Sequence, residues 1–127
     1  MRVVGFDHLV LNVSDVERSL DFYVDRLGLE PVRLAQWRAG EVPFPSVRVN
    51  ESIIIDLVER QRGSTNVDHF CLVVAPLDWQ HVAESGELGE LDGPHHNFGA
   101  RGMAQSVYIT DPDGNRIELR WYPADQD

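Results

Sequence analysis

FDHLVLNV at residues 6–13 returns as VDHFCLVV at residues 67–74, and the reading of these two segments decides the fold. Each is a short β-branched and aliphatic run, and alternation separates Leu9, Leu11 and Val13 on one face from His8, Val10 and Asn12 on the other. A strand is therefore expected at each place, with an Asp-His pair near its start. Working outward, Ser14-Asp15-Val16-Glu17 reads as a capping box, with the Ser14 hydroxyl and the Glu17 carboxylate exchanging hydrogen bonds with each other's amides. Val16, Leu20, Tyr23, Val24 and Leu27 then recur at helical spacing, and Gly28 supplies a left-handed stop. The apolar stripe of that helix is expected to pack on the strand face carrying Leu9 and Leu11.

Short strands follow at 31–38, 44–49 and 53–59, which completes a βαβββ unit. After a polar link at 61–66 the order repeats. VDHFCLVV comes first, then a helix over 77–85, a strand near Glu90, and strands at 105–110 and 115–121 joined by a tight turn at Asp111-Pro112-Asp113-Gly114. The duplication shows in the residues too. His8 corresponds to His69, and Asp56 of SIIIDLVE corresponds to Glu118 of RIELRW. The expected fold class is α+β, with two repeated βαβββ modules, about 1–62 and 63–127, forming one domain with a cupped, mostly antiparallel sheet.

Alternation also places these four residues on the strand faces turned away from the helices. On the last strand Ile117 and Leu119 point one way, and Arg116, Glu118 and Arg120 the other. A charged residue inside an otherwise apolar strand needs a reason. Two imidazoles with one or two carboxylates form an N/O donor set suited to one divalent ion, Zn, Ni, Co, Mn or Fe(II). The competing reading is a pair of structural His-carboxylate hydrogen bonds. Cys71 shares the strand of His69 and reads as a small wall residue rather than a ligand.

The 127 residues suffice for one ordinary domain. Eleven Lys plus Arg stand against 21 Asp plus Glu, a net charge of −10, which repels phosphate backbones and argues against nucleic-acid binding. No apolar run reaches the roughly 18 residues of a membrane span, so a membrane partner is not expected. With a single cysteine and no secretory pattern at MRVVGFDHLV, a cytoplasmic location is expected. The His95-His96 pair sits in a Gly-Pro-rich stretch and reads as surface. The segment Phe98-Gly99-Ala100-Arg101-Gly102 reads either as a mobile flap, with Arg101 meeting an anionic substrate, or as an ordinary connection. Trp37, Phe44, Tyr108 and Trp121 are candidates for lining a pocket or filling a core.

FDHLVLNVSDVERSLDFYVDRLGLEPV, VDHFCLVV and SVYITDPDGNRIELRWY together resemble the vicinal oxygen chelate superfamily, which holds glyoxalase I, fosfomycin resistance enzymes, extradiol dioxygenases and bleomycin-binding proteins. The resemblance covers essentially the whole chain. It implies one divalent ion per site, with His8, His69 and Glu118 as ligands. Asp56 stands where glyoxalase I enzymes carry a glutamate. Being one methylene shorter, it reads either as a further ligand or as a catalytic base acting through one bridging water, with Glu118 the other catalytic carboxylate. The activity implied is glyoxalase-I-like lyase or isomerase chemistry on a small substrate chelated through vicinal oxygens. Alternatives are a drug- or metabolite-sequestering protein, which a strongly acidic chain suits when the ligand is cationic, and a ring-cleaving dioxygenase. Fosfomycin-type chemistry would want a cationic pocket, for which the chain offers only scattered arginines such as Arg38, Arg48 and Arg101. The resemblance further implies a homodimer with sites formed between modules of two chains.

Overall fold

The structure, a computed structural model, describes residues 1–61, 63, 65–110 and 114–125. It comprises β1 (Val3–Val13), α1 (Val16–Leu20), β2 (Glu30–Val32), α2 (Leu34–Arg38), β3 (Ser46–Asn50), β4 (Ile53–Glu59), β5 (Val67–Val74), α3 (Trp79–Ser85), β6 (Asp92–Gly99), β7 (Gly102–Thr110) and β8 (Arg116–Arg120). A π-helical segment, Asp21–Arg26, prolongs α1, and a 3-10 turn, Pro123–Asp125, follows β8. The residues gather into two compact units, one of residues 8–68 and one of residues 1–7 with 69–127.

The first unit has strand order β2-β3-β4-β1, and the second has β6-β7-β8-β5. In each, the first strand runs parallel to the last, and the other pairings are antiparallel. Even the register repeats: Val10, two residues beyond His8, lies opposite Asp56, and Cys71, two beyond His69, lies opposite Glu118. The duplicated βαβββ pattern and the α+β class expected from the sequence are both present. In the second unit the first residues of β1 run beside β5, with the Phe6 and Phe70 rings stacked.

The helices cover one face of each sheet. In the first unit Val13, Val16, Leu20, Val47 and Leu57 form the buried core, with Leu11, Tyr23, Val24, Leu34 and Trp37 packed against it. Val74, Trp79, Val107 and Leu119 do the same in the second, with Ile117 and Trp121 at their edge. Burying side chains of this size stabilises a fold by about 1.5–3 kcal/mol each. Trp37 and Trp121 are thus core residues.

Several local expectations are corrected. The cap of α1 is Asp15, not Ser14: Asp15 is extended and its carboxylate accepts from the Arg18 amide at 3.1 Å. Ser14 Oγ instead accepts from the Arg18 guanidinium at 2.6 Å, and Glu17 is drawn to Arg38 in a bidentate pair. Beyond Leu20 the helix widens, which sets Tyr23 and Val24 together on the core while Phe22 lies edge-on to Tyr23. Gly28, with φ 76°, ends it as expected. The strand expected over 31–38 stops at Val32, because Arg33 takes a left-handed φ of 58°. The next residues form α2, and Leu34 and Trp37, three apart, share the face that meets the core.

In the second unit the strand expected near Glu90 begins at Asp92 and runs through the His95-His96 stretch to Gly99. The flap reading of 98–102 is overturned. Gly99 and Gly102 pair across a tight hairpin, the Ala100 amide donates to Asp7, and the Arg101 guanidinium is held by Asp125. Residues 111–113 of the expected turn lie outside the described residues.

If Asp15 is the cap, Asp15→Ala lowers stability by about 1 kcal/mol, while Ser14→Ala changes it by less than about 0.5 kcal/mol. Urea unfolding of the two variants checks this, and the reverse order would restore the capping box.

Candidate metal centre

On the faces turned away from the helices, both sheets bury charge. His8, Asp56, Glu118, Arg120 and Asp7 are all no more than 3% exposed. Such groups must be paired, since an isolated buried charge is far costlier than a buried polar group.

The second unit holds His69 and Glu118. Their side chains are 11% and 2% exposed, and His69 Nε2 lies 3.1 Å from Glu118 Oε1. The other oxygen of Glu118 accepts from Arg120 at 3.0 Å. Tyr108 lies opposite Glu118 on β7 and meets the His69 ring edge-to-face at 5.3 Å. Burial, reinforced by the charge of Glu118, pushes the Tyr108 phenol well above its ordinary value, so it stays protonated. The Arg116 guanidinium stacks over the Tyr108 ring at 4.1 Å. Tyr108 therefore belongs with the site.

The first unit repeats the arrangement with different chemistry. His8 Nε2 lies 3.8 Å from Asp56 Oδ2. Opposite Asp56 on β3 stands Ser46, whose hydroxyl donates to Asp56 Oδ1 at 2.5 Å. Arg33 lies close enough for Asp56 to support its charge, although burial lowers its pKa overall. Phe44 lies under that guanidinium at 5.2 Å. In both units, then, a histidine of the first strand faces a carboxylate of the last, and a hydroxyl stands across from that carboxylate.

Among the described residues the candidate metal ligands are Asp7, His8, His69, Cys71 and Glu118. Asp56, expected as a further ligand, is outside that set. His95 and His96 are exposed strand residues, and His95 Nε2 pairs with Asp92 at 2.8 Å. A separation of 3.1 Å between an imidazole nitrogen and a carboxylate oxygen is that of a hydrogen bond, and it is also short enough for two donors on one ion with bonds of about 2.0–2.2 Å. The imidazole nitrogen of His69 and the carboxylate of Glu118 are N/O donors that fit a divalent first-row ion.

Sequence reasoning missed the network behind Glu118. Arg120 is fully buried and donates to the carbonyls of Asn97, Phe98 and Gly102 as well as to Glu118. Asp7 lies 4.0 Å from its Nε, accepts from the Ala100 amide at 2.9 Å, and takes a very short hydrogen bond from the Tyr122 hydroxyl. Burial works against the charge of Arg120, but the neighbouring Tyr122, Asp7 and Glu118 more than offset it and raise its pKa. The signal in the sequence was alternation, which puts Arg120 on the face of Glu118.

A model of the Glyoxalase/Bleomycin resistance protein/Dioxygenase superfamily matches residues 5–119, and the chain belongs to that family. The Glyoxalase domain-containing protein RDO1 of Mycosarcoma maydis is 33% identical over 130 residues, covering 96% of this chain and 70% of the relative. Virulence protein STM3117 of Salmonella typhimurium is 32% identical over 126 residues, covering 96% and 87%. The crystal structure of methylmalonyl-CoA epimerase from Mycobacterium tuberculosis superposes with a TM-score of 0.64 over 96% of this chain and 91% of that one. At 19% identity that likeness shows the fold alone. Among the described residues no helix is long and apolar enough to cross a membrane.

The Tyr122 phenol is raised above its ordinary 10.0, first by burial and then by its bond to Asp7. A raised pKa means the folded state holds the proton more tightly than the unfolded one, so this contribution is intact below pH 10 and is lost as pH climbs above it. Tyr122→Phe is expected to flatten the fall in stability between about pH 10 and 11, as read by urea unfolding at several pH values. An unchanged slope would remove Tyr122 from the buried network.

Proposed function

We propose that this protein is a divalent-metal-dependent enzyme of the glyoxalase-I-like lyase or isomerase type, with His8, His69 and Glu118 as metal ligands. The observation that carries the reading is the repeated pairing of a buried histidine with a buried carboxylate at the same register of both units, His8 with Asp56 and His69 with Glu118. When bound, the ion supplies Lewis acidity and a template for two adjacent substrate oxygens. The residues of the chain do the rest. Glu118 presents Oε1 on the His69 side while Arg120 holds its other oxygen. Asp56, steadied by Ser46 Oγ, is the group we assign as base, taking a substrate proton directly or through one water. Tyr108, kept protonated by its surroundings, is a donor beside the carboxylate.

Glu118→Gln is expected to lower metal affinity by about 10- to 100-fold, measured by elemental analysis of chelator-free protein and by competition with a chromogenic chelator. Asp56→Ala is expected to leave metal content close to that of the parent and to lower activity instead. Equal metal loss in the two variants would make Asp56 a ligand, and unchanged metal in Glu118→Gln would remove Glu118 from the set.

We infer further, from the family, a cytoplasmic homodimer in which His8 of one chain serves the same ion as His69 and Glu118 of the other. Mixing His8→Ala with Glu118→Gln protein tests it: a mixed dimer then regains one complete site, and metal binding partly returns. Exchange of subunits without any return places each site within one chain. The net charge of −10 favours a second reading, sequestration of a cationic drug or metabolite without chemistry. A protein with no bound metal and no rise in melting temperature with any divalent ion would select it.

A further inference from the structure

We propose that Arg120 is the positioning residue for Glu118, fixing the carboxylate so that it serves as a one-oxygen ligand; this rests on the metal reading above. Four observations within the second unit carry it. Glu118 Oε2 is taken by Arg120 Nη1 at 3.0 Å, while Oε1 lies 3.1 Å from His69 Nε2. The two oxygens are thus assigned different work. A bidentate grip on an ion would require Oε2 to leave a buried charge-assisted bond, leaving the guanidinium with one partner fewer.

The guanidinium itself cannot easily follow. Its Nη2 donates to the carbonyls of Asn97 at 2.7 Å and Gly102 at 3.1 Å, and Nη1 to that of Phe98 at 3.3 Å. These three carbonyls belong to the β6–β7 hairpin, so the hairpin backbone sets the plane of the fork. Asp7 then supplies a second negative charge 4.0 Å from Nε, and Asp7 is itself held by the Ala100 amide and the Tyr122 hydroxyl. Lastly, the backbone at Gly99 is pressed against the pair. A Cβ there would stand 2.5 Å from the guanidinium carbon of Arg120 and 2.7 Å from Asp7 Oδ1. Glycine at 99 is therefore required by the close approach of the hairpin to Arg120, and not by a turn conformation.

The first unit serves as an internal control. The residue matching Arg120 there is Val58, two beyond Asp56 on β4. Valine cannot supply a fork from that place, and the Ser46 hydroxyl donates to Asp56 from the neighbouring strand. A guanidinium from the same strand, two residues beyond the carboxylate, is thus a feature of the second unit's last strand and not of the first's.

The test uses the full chain, stripped of metal by chelator and titrated with Co2+ alone, with folding checked by near-ultraviolet circular dichroism. Arg120→Lys keeps a buried positive charge but loses the planar fork, and is expected to bind Co2+ about 10-fold more weakly than the parent, with an altered visible absorption band. Gly99→Ala changes no charged residue, yet displaces the guanidinium, and is expected to weaken binding in the same direction. Parent-like affinity and spectrum in folded Arg120→Lys would overturn the proposal. A double substitution keeps the question open to refutation if either variant fails to fold, since it removes the Glu118 charge together with its guanidinium partner and leaves Asp7 its Ala100 and Tyr122 donors. In a Glu118→Gln background, Arg120→Met is expected to change Co2+ affinity by less than about 2-fold, because the group it acts through is gone. A further loss of about 10-fold there would show Arg120 acting by another route, against the proposal. Failure of the parent to bind Co2+ sinks the metal reading and this proposal together, whereas loss in Glu118→Gln with none in Arg120→Lys sinks this proposal alone.

Discussion

A carboxylate at 1% exposure is tolerable only beside a positive charge or a strong donor set, and Glu118 has Arg120. Removing the arginine from such a pair leaves an uncompensated buried charge, at a cost of about 3–5 kcal/mol. Much of the second unit is arranged around that need. Strand β8 carries both partners two residues apart on one face, the β6–β7 hairpin turns three carbonyls toward the guanidinium, and Gly99 has no side chain to obstruct it. Asp7 brings the first residues of the chain into the same cluster, with Tyr122 as its donor. The hydrophobic core on the opposite face, Val74, Trp79, Val107 and Leu119, holds the sheet to its helix. That core contributes stability without constraining where a charge can sit.

Duplication provides the frame, and divergence provides the chemistry. The parallel register of first and last strands is identical in the two units, and each carboxylate faces a hydroxyl residue on the neighbouring antiparallel strand, Ser46 for Asp56 and Tyr108 for Glu118. What differs is charge and reach. Glu118 has an extra methylene and a cationic partner, and it approaches its histidine to 3.1 Å. Asp56 is shorter, has a neutral hydroxyl at 2.5 Å, and stands 3.8 Å from its histidine. Arg33, whose charge Asp56 supports, reaches it from outside the sheet, in a left-handed conformation that a non-glycine residue rarely takes without support from its surroundings.

The parts of the fold legible in the sequence were those written in periodicity. The repeated FDHLVLNV and VDHFCLVV strands, the alternation on β8 and the stop at Gly28 all follow from local pattern, and the same pattern put His8, Asp56, His69 and Glu118 on the faces away from the helices. Less legible were choices between near-equivalent local solutions. Ser14 and Asp15 are both good caps, and in the structure Asp15 takes the role while Glu17 pairs with Arg38, distant in sequence. The segment 34–38 has too few residues for helical period to outvote strand expectation, and its helix is fixed by Leu34 and Trp37 finding one core. Arg120 was visible as a residue on the right face. Its partners were not, because Asn97, Phe98 and Gly102 contribute backbone carbonyls, which any residue type supplies.

The last distinction bears on how such a site can change while its fold persists. Interactions made through side chains at Glu118, His69 and Tyr108 can be altered one substitution at a time, whereas the carbonyls that orient Arg120 come with the β6–β7 hairpin itself. A mutation in the hairpin sequence keeps those carbonyls as long as the strands stay paired, except at Gly99, where any side chain meets the guanidinium, and at Gly102, whose φ of 105° strains any other residue. The fork on Glu118 is therefore robust to drift around it and sensitive at these two glycines. In the first unit Asp56 is engaged through side chains, the Ser46 hydroxyl among them, and one substitution removes that bond. Of the two carboxylates, Glu118 is the one whose guanidinium partner is itself held by backbone, so its geometry is the harder to lose one side chain at a time, in keeping with the ligand role proposed for it.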